Sequence, residues 1–137
     1  MSAWVIDSSV GFAWVHPNQT TPQTETLLRE VEEGATLVVP GLWFLEIANS
    51  LLVLQRRKKL SQQERRAALQ ILSAFNFTVD DEADRAAFDK TSELADQHRL
   101  TIYDAVYLEI ALRRNLPLAS RDSALIAAAK KCGVKTF

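Results

Sequence analysis

Apolar positions fall along this chain in two alternating rhythms, short unbroken runs and longer helical stripes. Ala3-Trp4-Val5-Ile6 is a run of four that suits a strand buried on both faces. It ends on Asp7, after which Ser8 and Ser9 offer caps to a short helix reaching about Val15. Residues 16–21 are a polar loop, and Thr21 with Pro22 opens a helix that Gly34 closes. Thr36–Val39 repeats the strand pattern and stops at Pro40-Gly41. A long helix follows from Leu42 to about Lys58, with Phe44, Ile47, Ala48, Leu51, Leu52 and Leu54 on its core face. Glu46, Asn49, Ser50 and Arg57 fall on the other side. Ser61–Glu64 is a capping box that starts the next helix. Phe75–Asp80 reads as a third strand, and one helical segment then reaches His98, with Asp80, Asp81 and Asp84 as its N-terminal acids. After a helix opening near Thr101 come a turn at Asn115, a strand over Leu116–Ala119, a helix over Ser123–Lys131 and a last strand over Val134–Phe137. Strands alternating with helices predict an α/β fold: a central, mainly parallel sheet of four to five short strands in one domain spanning residues 1–137.

The helix after Thr101 is apolar almost all round, and only Glu109 and Arg113 mark a wet face. They lie roughly 140–180° around the axis from Asp104 at about 100° per residue, which aims Asp104 inward with Leu108 and Ala111. A carboxylate aimed inward must be paired, hydrogen-bonded or bound to metal. Thr101-Ile102-Tyr103-Asp104 also fits a capping box, so capping and metal binding both stand for Asp104.

Composition narrows the classes. At 137 residues with 47% hydrophobic and 24% charged positions, the chain can build a core without staples. Its single cysteine, Cys132, excludes an intramolecular disulfide and a cysteine metal cluster and suits a reducing cytoplasm. No apolar run has membrane-spanning length, and the opening residues carry no signal-peptide pattern. A net charge of −1 gives no global pull on nucleic acid, so a polyanion would need a local basic patch or bridging metal ions. Gln55-Arg56-Arg57-Lys58-Lys59, extended by Arg65 and Arg66, serves either as helix C-terminal charge or as such a patch.

Ligands of parallel sheets gather at the carboxyl ends of the strands, near the switch in strand order. Asp7 and Asp122 follow strands, Glu46 comes early in the helix after the second strand, and Asp104 lies in the helix feeding the fourth. Each has a local explanation, since Asp7 and Asp122 can cap helices and Glu46 can sit on a solvated face. Together, like charges in one cleft repel unless a cation sits between them. Oxygen-only ligands favour Mg²⁺ or Mn²⁺ over zinc, and such ions activate water in phosphodiester hydrolysis. The chain has no GxGxxG, Walker A or GxSxG motif.

Several motifs then occur in a telling order: Asp7-Ser8-Ser9 after the first strand, Glu46-Ile47-Ala48-Asn49 in the long helix, and Tyr103-Asp104-Ala105 with Tyr107-Leu108. Leu118-Ala119-Ser120-Arg121-Asp122 closes the set, ahead of Gly133-Val134. In order and spacing the chain resembles the PIN-domain ribonucleases, and within them the VapC-type toxins of bacterial toxin–antitoxin pairs. The resemblance implies a PIN-like three-layer α/β/α sandwich and a Mg²⁺-dependent endoribonuclease, with Mn²⁺ able to substitute. It implies Asp7, Glu46, Asp104 and Asp122 as metal-binding and catalytic acids, Ser8 and Ser120 as supporting hydroxyls, and Asn49 as their helix partner. It further implies an RNA substrate, a homodimer, and a small VapB-type antitoxin laid in an apolar groove near Leu42, Trp43, Phe44, Phe12 and Trp14. A non-catalytic binding module of the same fold is the competing reading. Phosphoryl transfer through Asp7 is a third, weakened because Ser9 stands where a second acid is wanted.

Overall fold

Residues 2–137 are described by a computed structural model. Four strands, β1 (Ala3–Ile6), β2 (Thr36–Val39), β3 (Phe77–Val79) and β4 (Leu118–Ala119), form one sheet in the order β3-β2-β1-β4, every pair parallel. Val5, Ile6, Leu37, Val39 and Leu118 are fully buried in it, as unbroken apolar runs between helical layers should be. The chain leaves β1 for β2 on one side and returns for β4 on the other. The order therefore reverses at β1, and the crevice of such a sheet opens there.

The helices are α1 (Ser8–Val15), α2 (Pro22–Glu32), α3 (Leu42–Arg56), α4 (Gln62–Ser73), α5 (Ala83–Ala86), α6 (Lys90–His98), α7 (Ile102–Arg114) and α8 (Ser123–Lys131), with a 3-10 turn over Pro17–Gln19. They pack in two groups, α1 to α4 and α5 to α8, and α7 also lies against β1 and β4. The sheet is thus flanked by helices, as expected for a PIN-like fold. No helix among the described residues is long and apolar enough to cross a membrane.

Several expectations need correction. Val134–Phe137 adds only a single bridge, Thr136 to Leu118, in place of a fifth strand. The segment before His98 is two helices, because Ala87-Phe88-Asp89 interrupts it. Glu109 is 3% exposed, not on a wet face. Its carboxylate accepts from Arg113 at 2.8 and 3.0 Å, an i,i+4 pair closed against the protein. The same guanidinium reaches Asp80, which sequence assigns to a helix terminus and the fold buries completely. Arg113 donates to both Asp80 oxygens at 2.8 and 3.0 Å, and Arg114 Nε adds a bond of 2.6 Å. Burial alone would raise the Asp80 carboxyl; the two arginines and the Glu82 N–H outweigh it and hold it at about 2.

On α3 the buried face is Trp43, Ile47 and Leu51, while Phe44 and Ala48 are exposed. The helix turns its Trp43 edge to the core because Gly11 of α1 makes room for it. A Cβ built on Gly11 would lie 2.4 Å from Trp43 Cζ2, so only glycine permits this approach. The Trp43 indole N–H then donates to the Asp7 carbonyl at 3.1 Å, which ties the end of β1 to α3. His16, in the loop after α1, is half-buried with its ring 5.2 Å from that of Phe12.

Candidate active site

Ile6 pairs with Ala119, so the residues that follow them, Asp7 and Ser120, leave the sheet side by side. Asp7 is 4% exposed, and a carboxylate so buried needs its lone pairs filled. Oδ2 accepts from the Ser120 hydroxyl at 2.5 Å and Oδ1 from the Ser9 hydroxyl at 2.6 Å. Those hydroxyls are in turn acceptors: the Asp122 N–H donates to Ser120 Oγ and the Arg121 N–H to Ser9 Oγ, each at 2.9 Å. A closed ring of bonds thereby joins the two central strand ends. Ser9 was not singled out by sequence, although its place two residues past Asp7, beside the turn, is a usable signal.

Asp7 also caps α1, with a 3.4 Å bond from Val10 N–H, and Asp122 caps α8 with 2.9 Å from Leu125 N–H. Both local explanations are therefore real, and the two residues are also joined through Ser120, whose hydroxyl donates to Asp7 and accepts from the Asp122 N–H. Burial, helped by the charge of Asp104, raises the Asp7 carboxyl to about 6 against the pull of the Ser120 and Ser9 hydroxyls and the Val10 N–H.

Glu46 arrives from α3, half-buried, and accepts the Tyr107 hydroxyl at 2.5 Å. This bond joins the two groups of helices. Tyr107 is 1% exposed and needs a partner for its hydroxyl, which makes it a site residue that sequence quoted without assigning a role. Burial raises the Glu46 carboxyl; the Tyr107 bond opposes this, Asp104 adds to it, and the Ser8 hydroxyl opposes it. Asp104, also half-buried, is raised by burial and by the charge of Asp122, against the Thr101 hydroxyl. Only one half of the capping box forms: Asp104 N–H donates to Thr101 Oγ1 at 3.1 Å, and the carboxylate does not return a bond to the Thr101 N–H.

Asp104 is thus the hub, felt electrostatically by Asp7 and Glu46 and itself feeling Asp122. Asp7 is bonded to Ser120, Glu46 lies beside Ser8, and the acids are linked pairwise through Asp104. Asn49, by contrast, is exposed one turn beyond Glu46 and makes no hydrogen bond to the site among the described residues. The basic run at 56–59 lies at the far end of α3, ten or more residues and so about 15 Å from Glu46.

No group of three His, Cys, Asp or Glu among the described residues is set to hold a metal ion. The donor set nevertheless fits a hard divalent cation, since every candidate ligand is a carboxylate oxygen. Mg²⁺ in particular keeps several waters and takes one or two carboxylates with the substrate, so it needs no closed protein cage.

The sequence model of the PIN domain family matches residues 4–131. The chain belongs to the PIN domain family. PIN domains are in general nucleases, and typically use divalent metals. A comparison with curated proteins gave no match. Solved structures similar to this PIN domain include PAE2754 from Pyrobaculum aerophilum, 23% identical, with 98% of this chain and 90% of that one covered and a TM-score of 0.71. A chain of VapBC2 from Rickettsia felis, bound to a DNA fragment from its promoter, matches at 12% identity, 98% and 97% coverage and a TM-score of 0.67. FitAcB from Neisseria gonorrhoeae matches at 17% identity, 98% and 96% coverage and a TM-score of 0.63. These likenesses establish the fold.

Proposed function

We propose that this PIN domain is a metal-dependent endoribonuclease of the VapC type, held in check by a small antitoxin. The observation that supports the reading is the coupling of Asp104 with Asp7, Glu46 and Asp122, with Asp7 leaving the sheet at the end of β1, where the strand order reverses. Such a cluster is costly to an apo fold and is relieved by a cation. Mg²⁺ or Mn²⁺ when bound would neutralise phosphate charge and lower the pKa of water. Asp7 and Asp104 would hold it, with Glu46 and Asp122 as further or water-mediated ligands. Ser9 and Ser120 fix the Asp7 carboxylate in one orientation, and Tyr107 does the same for Glu46. Asp122 or Glu46 could take the proton of the attacking water, whose oxygen would bond to phosphorus as the P–O3′ bond breaks, and the 3′-oxygen would leave with a proton from solvent to give a 3′-hydroxyl and a 5′-phosphate.

The partner is supported by a groove of about 380 Å³ between α3 and α4, lined by Trp43, Phe44, Ile47, Leu69, Leu72 and Phe77. Phe12 and Trp14 lie outside it, half-buried against the core. Phe44 at 37% and Leu45 at 70% exposure sit on the helix that carries Glu46, so an amphipathic segment laid there could point a basic side chain at the acids. VapBC2 and FitAcB share the fold, and VapBC2 was solved on promoter DNA. A homodimer and an intracellular setting complete the proposal.

The test is cleavage of cellular RNA by the purified chain in Mg²⁺ or Mn²⁺, followed by sequencing of the new RNA ends. The result expected is discrete ends that disappear on chelation. A chain that binds its co-encoded partner but cuts no RNA under any divalent metal would instead establish the binding-module reading, which the absence of a ready three-ligand group among the described residues favours.

A further inference from the structure

An acidic site that accepts a polyanion is helped by a positive group of its own beyond any bridging metal. The four acids are carried by segments 7–10, 42–49, 101–107 and 118–122, and Arg121 is the one lysine or arginine in them. Its backbone belongs to the site, because its N–H donates to Ser9 Oγ, which donates to the Asp7 carboxylate. Its side chain is exposed and forms no ion pair among the described residues, although Asp122 is its neighbour in sequence. Instead Nη1 donates to Gln19 Oε1 at 2.7 Å, across a sequence separation of 102 residues. Gln19 ends the 3-10 turn and is half-buried.

A neutral amide is an informative choice of tether. A carboxylate would cancel the charge, whereas Gln19 takes one of the five N–H groups of the guanidinium and leaves four to bond an anion. It also removes rotamer freedom before a ligand arrives, which reduces the cost of binding. The basic run at the far end of α3 is too distant to do this at the acids.

We infer that Arg121, held by Gln19, is the substrate-positioning residue that grips a backbone phosphate of the RNA beside the scissile bond. This rests on the ribonuclease reading above and adds to it the residue that binds the strand.

The experiment uses the full chain and an RNA oligonucleotide containing a bond that the wild-type protein cuts. Initial rates are measured for wild type, R121A, R121K and Q19A at several salt concentrations. For R121A, KM is expected to rise about tenfold with kcat falling less than threefold, as for loss of one charged phosphate contact. The slope of log KM against log salt should become shallower by about 0.7, the value for one phosphate on a single strand. R121K should restore the slope but only part of KM, and Q19A should raise KM two- to threefold with the slope kept. A change in thermal stability alone moves none of these readouts. If wild type cuts RNA while R121A keeps its KM and salt slope, the inference is wrong and the ribonuclease reading stands. R121A weakening antitoxin binding instead, at unchanged KM, would make Arg121 a partner contact and equally overturn it. If wild type cuts no RNA, both fall together.

Discussion

Asp80 offers a stability prediction whose size follows from its surroundings. Its side chain is fully buried and receives three bonds from Arg113 and Arg114, which hold the carboxyl at about 2 against an ordinary 3.8. That depression corresponds to about 2 kcal/mol of stability at neutral pH. Asp80→Asn removes the charge and turns an amide N–H toward donors that need acceptors. Stranding a wholly buried partner would cost about 3–5 kcal/mol. Here the arginine side chains are 28% and 33% exposed and can turn to water, so the smaller figure applies. A loss of about 2 kcal/mol should appear as a fall in Tm of about 8 °C for a domain of this size.

The sign with pH is fixed as well. A carboxyl depressed in the folded state contributes stability that is complete above 3.8 and is lost as pH falls through about 2. Urea unfolding of wild type and Asp80→Asn at pH 7, 5, 4 and 3 therefore has a defined outcome. The gap between the two proteins should be full at pH 5 and above and shrink steadily below pH 4. A gap near zero at pH 7, or one that stays constant down to pH 3, would refute the account of the cluster.

Three further outcomes are expected. Asp104→Asn should abolish RNA cleavage while circular dichroism and Tm show the fold intact or slightly stabilised, because Asp104 raises both Asp7 and Glu46; retained activity would remove Asp104 from the site. Activity should depend on Mg²⁺ or Mn²⁺, with no zinc requirement and little turnover in Ca²⁺, whose looser shell positions water poorly; cleavage surviving thorough chelation would overturn the metal mechanism. Tyr107→Phe should lower kcat and cost about 1–2 kcal/mol in denaturant unfolding, since it takes a hydrogen bond from a charged, half-buried Glu46; an unchanged kcat would show that Glu46 needs no fixing.

What sequence makes legible here is whatever depends on short-range pattern. The strands 3–6 and 36–39, the Thr21 and Ser61 caps and the placing of Asp7 and Asp122 after strands all follow from local periodicity and capping chemistry. Glu109 was misread because an amphipathic pattern cannot tell a solvated carboxylate from one closed under Arg113. Asp80 was misread for the same reason at longer range, its partners lying 33 and 34 residues away. Val134–Phe137 has strand-like residues, yet β4 is two residues long and offers a neighbour little ladder to extend. That Asp7 and Ser120 leave neighbouring strands side by side was inferable from topology. The parts of Ser9 and Tyr107 were not, because a hydroxyl declares its partner only in three dimensions.

The contact between Gly11 and Trp43 has a consequence for genetics. Trp43 fills the space that a side chain at position 11 would need, and its indole holds the carbonyl of Asp7. Any residue larger than glycine there must push the ring aside and so act on Asp7 from within the core, through a lever with no atom in the cleft. Under the proposed function, a screen scoring only loss of activity would therefore return Gly11 and Trp43 beside the proposed acids. Where such variants fold, they would be mistaken for changes at the acids themselves. What would set them apart is suppression: a smaller ring at position 43 should relieve a larger residue at 11, whereas no change elsewhere in the core replaces a missing carboxylate.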